Sequence, residues 1–345
     1  MKDIIIVGSG IAACSLAWQL HFQGKSFVII TDLKKGSSAV AAGVYNPMVL
    51  KRFTAVWNAD IQLTDLNNLF DDILKSTSVE LRTPITVARR FHDNKESQTW
   101  VKKSARDDLN QFMNPALESM LIEGIDAPDG YGLVNGTGWV DTVQFMTTTI
   151  SYFKSLGSVL VDTFDYNQLD LSTDALRYKD ITATNIIFAE GYRILGNPYF
   201  KDLPIQGNKG EVLLIKIPGL VISHIIKSSV FLMPYKDDLF WVGATYDRED
   251  LEDIATMAGK DFLTSRLERF MKLPYEIIEH KHGIRPTTID RRPFVGHHPQ
   301  HKNVWIFNGM GSRAVLIAPW ASLQLINCMF KNQPIHKEID IKRFV

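Results

Sequence analysis

Gly8, Ser9, Gly10, Ile11, Ala12 and Ala13 form the pattern G-x-G-x-x-A. The pattern follows the β-branched run Ile4-Ile5-Ile6-Val7 and opens an apolar, alanine-rich segment that reaches Leu20. A strand buried on both faces, a tight turn and a packed helix are expected in that order. Gly8 permits the turn, Gly10 lets a pyrophosphate approach the backbone, and Ala13 lets the helix lie close to the sheet. The free amides at the start of such a helix face phosphate oxygens, and the helix dipole favours their negative charge. These residues therefore predict dinucleotide binding. Counting about 20 residues on from the motif, past a second strand at Phe27–Ile30, reaches Thr31 and Asp32 as candidates for the adenosine ribose. Two further stretches suit backbone contact with a ligand. Ser38, Ala42 and Gly43 lie in a loop rich in Gly and Ala, against which a flat ligand can rest without obstruction. Gly309, Gly311, Ser312, Arg313 and Ala314 form a second donor-rich entry into a helix.

The bulk numbers narrow the class. The chain has 345 residues, 45% hydrophobic and 22% charged, with a formal net charge of zero. This is ordinary soluble-protein composition, long enough for two structural units. Zero net charge does not suggest a DNA partner or an anionic membrane surface. The two cysteines, Cys14 and Cys328, lie far apart on expected helices and are read as reduced core residues of a cytoplasmic protein. Three residues before the first strand are too few for a signal peptide, and the apolar stretch Ala314–Phe330 is read as too short and too interrupted by Pro319, Gln324 and Asn327 to span a membrane. His280, His282, His297, His298 and His301 lack metal-ligand spacing, so no metal site is expected.

The remaining elements must position these residues. Helical spacing covers Trp57–Leu74, Val140–Leu156 with Asp141 as cap, Leu251–Phe270 and the segment up to Phe330. Residues 80–91 and 96–103 read as short strands, and Asp107–Leu121 as a helix. Thr184–Ala189 is a buried strand that ends at Glu190-Gly191, and Asn303–Phe307 is another. Glu211–Ile217, Val230–Met233 and Leu239–Ala244 read as strands of an antiparallel sheet. Elements of the nucleotide-binding type fall at both ends and in the middle, with β-rich segments between them. Two interleaved units are therefore expected.

Several motifs accumulate in one order along the chain. They are the G-x-G-x-x-A start, the Ser38/Ala42/Gly43 loop, Phe188-Ala189-Glu190-Gly191, Gly207-Asn208-Lys209-Gly210-Glu211-Val212 and Phe231-Leu232-Met233-Pro234. Val242-Gly243-Ala244-Thr245, Gly283-Ile284-Arg285-Pro286-Thr287, Pro293-Phe294-Val295-Gly296 and Gly309-Met310-Gly311-Ser312-Arg313 follow. Over nearly its whole length the chain resembles the FAD-dependent D-amino-acid oxidase family, which includes glycine oxidase and sarcosine oxidase. Gly243–Arg248 and Gly311-Ser312-Arg313 with Ala318-Pro319 are most similar to the oxidase domain of the bifunctional bacterial enzyme that builds methylaminomethyl groups on tRNA wobble uridines.

The resemblance implies an α/β fold, with a Rossmann-like FAD domain interleaved with an α+β substrate domain on a large antiparallel sheet. Residues 1–78, 135–205 and 281–345 would form the FAD domain, and 79–134 and 206–280 the substrate domain. FAD would be noncovalent, held by Gly8, Gly10, Ile11, Ala12, Ala13, Thr31, Asp32, Ser38, Ala42, Gly43, Ala189, Gly191, Gly309, Gly311, Ser312, Arg313 and Ala314. The chemistry implied is oxidation of the C–N bond of an amine or amino acid by hydride transfer to flavin N5, with oxygen or another acceptor taking the electrons. Arg285 would hold a substrate carboxylate, since a guanidinium grips a carboxylate with two parallel bonds. Phe231 lines the pocket where several relatives carry a tyrosine, with Tyr235 or Tyr246 as replacements. Lys51, just beyond the flavin loop, is a candidate positive charge near the ring. A tRNA-modifying oxidase acting on carboxymethylaminomethyl-uridine is the second reading, disfavoured by the neutral charge. A non-catalytic flavin-binding protein is the third.

Overall fold

The buried run Ile4–Val7 needs partners on both sides, and a computed structural model of the chain, which describes residues 1–171 and 175–344, supplies them. Strand β1 (Lys2–Val7) pairs in parallel with β2 (Phe27–Thr31) on one side and with Ile181–Phe188 on the other. Val159–Val161 extends the sheet beyond β2, and Val304–Asn308 runs parallel to the end of Ile181–Phe188. Leu176–Tyr178 and Leu169–Asp170 complete the far edge in antiparallel pairing. The parallel strands end together at Gly8, Thr31, Ala189 and Gly309, which places the ligand-binding crevice of such sheets at one edge.

Helix α1 (Ile11–Phe22) leaves the turn after β1 and is buried along most of its length, as its alanines and leucines require. Six helices of eight or more residues occur among the described residues. α2 (Ala59–Thr77), α3 (Asn94–Ser104), α4 (Thr142–Ser155), α5 (Met257–Leu267) and α6 (Ala314–Lys331) follow α1. The Trp18 indole on α1 donates to Thr149 Oγ1 on α4 at 2.9 Å, which fixes the two helices against each other. Asp141 caps α4 by accepting from the Gln144 amide. The segment Gly311–Lys331 is, contrary to the sequence expectation, long and apolar enough to cross a membrane by length and composition. Its apolar character has another use here: Val315–Ala321, Leu325 and Ile326 are buried, and the helix packs on α1 and α2 as a core element.

A second eight-stranded sheet runs in the order Glu276–Thr288, Ile205–Lys216, Leu239–Gly243, Phe231–Lys236, Ile225–Lys227, Val87–Arg90, Tyr131–Val134 and Met113–Glu118. Its pairs are antiparallel except Ile225–Lys227 with Val87–Arg90. One face carries Val212, Leu214, Met233 and Trp241 towards the core shared with α1, α2 and α6. The other packs Leu213, Ile215, Leu232 and Val242 against α5. Between the large sheets, Val44–Tyr45, Gly138–Val140 and Arg82–Pro84 form a small linking sheet.

Three local expectations change. Residues 94–104 are a helix, opened by Asp93, whose carboxylate accepts from the Glu96 amide, while the Glu96 carboxylate accepts from His92 N–H. Residues 113–118 are a strand, because Tyr131–Val134 offers an edge to pair with and Pro115 has no amide to give a helix. Helix α5 begins only at Met257, capped by Thr256. The strand Glu276–Thr288 also runs unbroken across 280/281, where the sequence divides the two expected units.

Gly43 sits at φ +73°, and a Cβ placed there falls 1.9 Å from the Val140 carbonyl oxygen. Neither the conformation nor the backbone contact can accommodate a side chain. Gly43→Ala is expected to cost about 2 kcal/mol or more, read as a lower urea midpoint at unchanged slope.

Candidate active site

The phosphate-binding geometry is built from backbone. Gly8 takes φ +115°, and a Cβ there would lie 2.5 Å from the Ala189 carbonyl oxygen, so the turn closes directly on the end of the neighbouring strand. Gly10 is the N-cap of α1 and supplies no side-chain cap. The amide of Ile11 donates to Ser38 Oγ at 3.2 Å, while the amides of Ala12 and Ala13, in the first turn, have no intrahelical acceptor. A Cβ on Gly10 would sit 3.1 Å from Ser38 Oγ, which brings the glycine motif and the loop side by side. Uncapped amides beside small residues are the donor set a pyrophosphate requires. These residues fit a flavin dinucleotide.

The proposed ribose acid is already engaged. Asp32 accepts from Arg193 Nη1 at 2.6 Å and from the Lys34 amide at 3.1 Å. Burial alone would raise its pKa, but the Arg193 and Lys34 bonds outweigh that and hold the carboxyl below its usual value. The neighbouring Thr31 is buried, and its hydroxyl shares a 2.7 Å bond with Ser9 Oγ and accepts from the Leu33 amide. Gly191 continues from Ala189 at φ +61°, and its carbonyl accepts from Asn308 Nδ2.

The second large sheet meets this cradle along Glu276–Thr288. A Cβ on Gly283 would lie 2.9 Å from Ser37 Cα, so the loop before Gly43 rests directly on the strand. Farther along, a Cβ on Gly311 would lie 3.7 Å from Thr287 Cγ2. Gly10, Ser38, Gly283, Arg285 and Gly311 are thus linked through one strand, and both chain ends converge on it. Gly309 takes φ +77°, with its amide donating to Asn308 Oδ1. Helix α6 has no side-chain cap and is entered through a 3-10 turn at Gly311–Arg313, which sets the backbone of Ser312 and Ala314 beside the strand.

Arg285 lies across the face of this sheet. Its guanidinium fills the space over Gly210, where a Cβ would come within 1.8 Å of Nη2. Nη1 donates to Asn208 Oδ1 at 3.0 Å and to the Thr245 carbonyl at 3.3 Å, and the Tyr246 ring covers the cation at 4.7 Å. Burial lowers the Arg285 pKa, and Tyr246 opposes this; both effects recur at Arg313, where Arg291 and Arg292 lower it further. No carboxylate pairs with Arg285 or Arg313 among the described residues. Two desolvated cations, Arg285 under Tyr246 and Arg313 within its electrostatic reach, therefore keep anion-binding capacity to spare.

Phe231 stands on the same face. Its ring covers Gly243, where a Cβ would lie 2.8 Å from Cζ, beside Val212. Tyr246 is the tyrosine that reaches Arg285. Tyr235 instead packs between Trp139 and Trp241, and its hydroxyl donates to Asp141 Oδ2 at 3.4 Å. Lys51 is not brought into this group. It is exposed in a turn whose Arg52 carbonyl accepts from Lys103 on α3. Asn208 and Thr245 stand in motifs of the sequence, but their contacts with Arg285, like that of Arg193 with Asp32, emerge only from the packing. Cys14 is buried in α1, with its thiol donating to the Ser9 carbonyl at 3.3 Å, and burial pushes its pKa up to about 12.

A mixed α/β architecture with an uncapped dinucleotide cradle set against a large antiparallel sheet defines a flavoprotein oxidoreductase. Residues 3–326 match the family model for FAD dependent oxidoreductase, and the chain belongs to that family. FAD is its cofactor. Among curated proteins, the chain is similar to a bifunctional ThiO/ThiG protein of Trichormus variabilis, at 23% identity over 99% of this chain and 55% of that one. It is also similar to the bifunctional tRNA 5-methylaminomethyl-2-thiouridine biosynthesis protein MnmC of Legionella pneumophila, at 24% identity over 86% of this chain and 45% of that one. The chain thus spans about half the length of these relatives. Among solved structures, glycine oxidase from Geobacillus kaustophilus superposes with a TM-score of 0.82 at 16% identity, covering 99% of this chain and 97% of that one. This likeness supports the fold.

Two outcomes follow from the geometry. Gly210→Ala pushes on the movable end of Arg285 rather than on backbone, so it should displace the guanidinium and speed its modification by phenylglyoxal about threefold while Tm changes little. At pH 8 the Cys14 thiol stays protonated and shielded, so iodoacetamide should label it only after unfolding, as read by peptide mass.

Proposed function

We propose that this FAD-dependent oxidoreductase oxidises the C–N bond of a small amine or amino acid that bears a carboxylate. The observation that carries the proposal is the Arg285 site. A half-buried guanidinium, fixed by Asn208 and the Thr245 carbonyl and covered by Tyr246, has no carboxylate partner among the described residues. A substrate carboxylate supplies that partner with bidentate geometry. Arg313 adds a second positive charge close enough to Tyr246 to be influenced by it electrostatically. The curated glycine oxidase of Bacillus licheniformis, 21% identical over 97% of this chain, and the solved iminodiacetate oxidase of a Chelativorans species, at TM-score 0.76, act on substrates of this kind by their names.

In this reading Gly10, Ile11, Ala12, Ala13 and Ser38 hold the pyrophosphate. Asp32 faces the adenosine ribose with Arg193 beside it, and Ala189 and Gly191 border the same strand ends. Ala42, Gly43 and the Gly309–Ala314 entry contact the flavin noncovalently. FAD, when bound, supplies the two-electron acceptor for the substrate C–H bond. The chain does the rest by position. Arg285 fixes the carboxylate, and with it the α-carbon, while Phe231 and Val212 wall the pocket and exclude water. The substrate must present a neutral nitrogen whose lone pair assists departure of the C–H electrons; the product is an imine and the nitrogen's proton leaves to solvent. The two nearby cations disfavour a third positive charge and so favour the neutral amine.

The test is spectroscopic. Purified protein should be yellow and release FAD on denaturation, and anaerobic addition of glycine, sarcosine or iminodiacetate should bleach it, with peroxide formed on readmitting air if oxygen is the acceptor. Arg285→Met should raise KM for the active substrate about a hundredfold with the limiting reduction rate much less affected. Bleaching by amines without a carboxylate as readily as by those with one would exclude the proposed role of Arg285.

A further inference from the structure

The strand Ile205–Lys216 has two faces, and only one belongs to the pocket. Asn208 and Gly210 point towards Arg285. Lys209 and Glu211 point away, and they are charged yet only 1% and 3% exposed. Charges so deeply buried require partners, and they find them in the segment that follows the neighbouring strand. Lys209 Nζ donates to Asp250 Oδ2 at 2.7 Å and lies 4.0 Å from Glu211 Oε1. Glu211 accepts from the Thr256 amide at Oε2, 3.1 Å, and from the Thr256 hydroxyl at Oε1, 2.8 Å, and its Oε2 also lies 2.6 Å from His280 Nε2. The backbone adds four bonds. Lys209 and Asp247 exchange amide–carbonyl pairs at 2.7 and 2.9 Å, the Thr245 amide donates to the Glu211 carbonyl, and the Glu211 amide donates to Thr245 Oγ1. Residues 245–256 are therefore fastened to the back of the strand at both ends and in the middle.

That segment carries the two groups that touch Arg285 from outside the sheet. The Thr245 carbonyl accepts from Nη1, and the Tyr246 ring, itself 63% exposed, lies over the guanidinium. Tyr246 has no hydrogen bond of its own among the described residues that would hold it there, so the anchors around it set its position. We propose that Lys209 and Asp250 are positioning residues: their ion pair, buried at its Lys209 end, together with Glu211 and Thr256, holds Thr245 and Tyr246 in register against Arg285 and so orients the carboxylate grip from the opposite face of the sheet. The functional consequence rests on the reading of Arg285 as the carboxylate holder; the anchoring itself does not.

Asp250→Ala is the principal variant, because Asp250 lies at the surface and its loss threatens folding least. Lys209→Met is the second, since Glu211 keeps His280 and Thr256 as partners. Three readouts separate the outcomes. Hydrogen exchange followed by mass spectrometry should show faster uptake over 245–256 in both variants, with residues 2–31 unchanged. Phenylglyoxal should modify Arg285 faster, by about threefold or more, as its cover loosens. Glycolate, titrated against the flavin spectrum, should bind about tenfold more weakly, and substrate KM should rise by a similar factor with the limiting rate of flavin reduction within about twofold of the parent. In an Arg285→Met background Asp250→Ala should add almost nothing to KM, which a merely structural defect would not reproduce. Unchanged exchange and unchanged Arg285 reactivity overturn the proposal. Loosened exchange together with a parent protein that does not bind glycolate upholds the anchoring and overturns the carboxylate reading instead. Equal KM effects with and without Arg285 overturn the coupling between the two.

Discussion

The structure depends on backbone meeting backbone without side chains between. Gly8 closes on the Ala189 carbonyl, Gly43 on Val140 and Gly283 on Ser37, and Gly10 closes on the short side chain of Ser38. Each contact is too close for a Cβ at its usual van der Waals distance. Together they pull the start of the chain, the loop after β2 and the long strand Glu276–Thr288 into one layer. A ligand that lies along this layer meets amides rather than side chains, and amides are the groups that phosphate and a flavin ring's polar edge require. The glycines thus serve the fold and the cofactor through the same property.

Against that layer the charged chemistry is sparse and deliberate. A cation in a low-dielectric pocket is costly unless it is hydrogen-bonded. Arg285 receives one side-chain oxygen, one backbone oxygen and an aromatic face, which together hold the guanidinium without neutralising it. A carboxylate of the protein at that place would have satisfied Arg285 and closed the site. The nearby acids are kept elsewhere: Asp250 is tied to Lys209 on the opposite face, and Asp290 to Arg343. The positive potential at Arg285 and Arg313 is therefore not cancelled, although the whole chain has no net charge.

What was legible in the sequence followed from local rules. The β-branched run, the G-x-G-x-x-A turn and the alanine-rich helix each announce themselves within a few residues, and β1, α1 and β2 stand where those rules place them. Arg285 was legible through its motif neighbours. Residues 94–104 carry only two apolar residues, Trp100 and Val101, so their helical periodicity is too faint to stand out; the capping pair Asp93 and Glu96 is the local signal. Residues 113–118 looked helical because strand pairing with Tyr131–Val134 is a tertiary fact, though Pro115 argued against a helix. Asn208 and Thr245 reach Arg285 across 77 and 40 positions of chain, and Arg193 reaches Asp32 across 161. No window of sequence contains such pairs.

The phenylalanine at position 231 then acquires a physical meaning. Its ring covers Gly243 but offers no hydroxyl to a polar ligand, so the sheet wall of the pocket is apolar apart from Arg285 and Asn208. Polar and aromatic contact comes instead from Thr245 and Tyr246, which belong to a connecting segment and not to a strand. A strand is held by its ladder on both sides, whereas a segment is held only by the anchors provided for it. The pocket consequently has one wall fixed by the sheet and one fixed by ion pairs on the reverse side of that sheet. Substitutions in residues 245–256, at little expense to the core, are where a fold of this kind can change what it admits while its cofactor cradle stays the same.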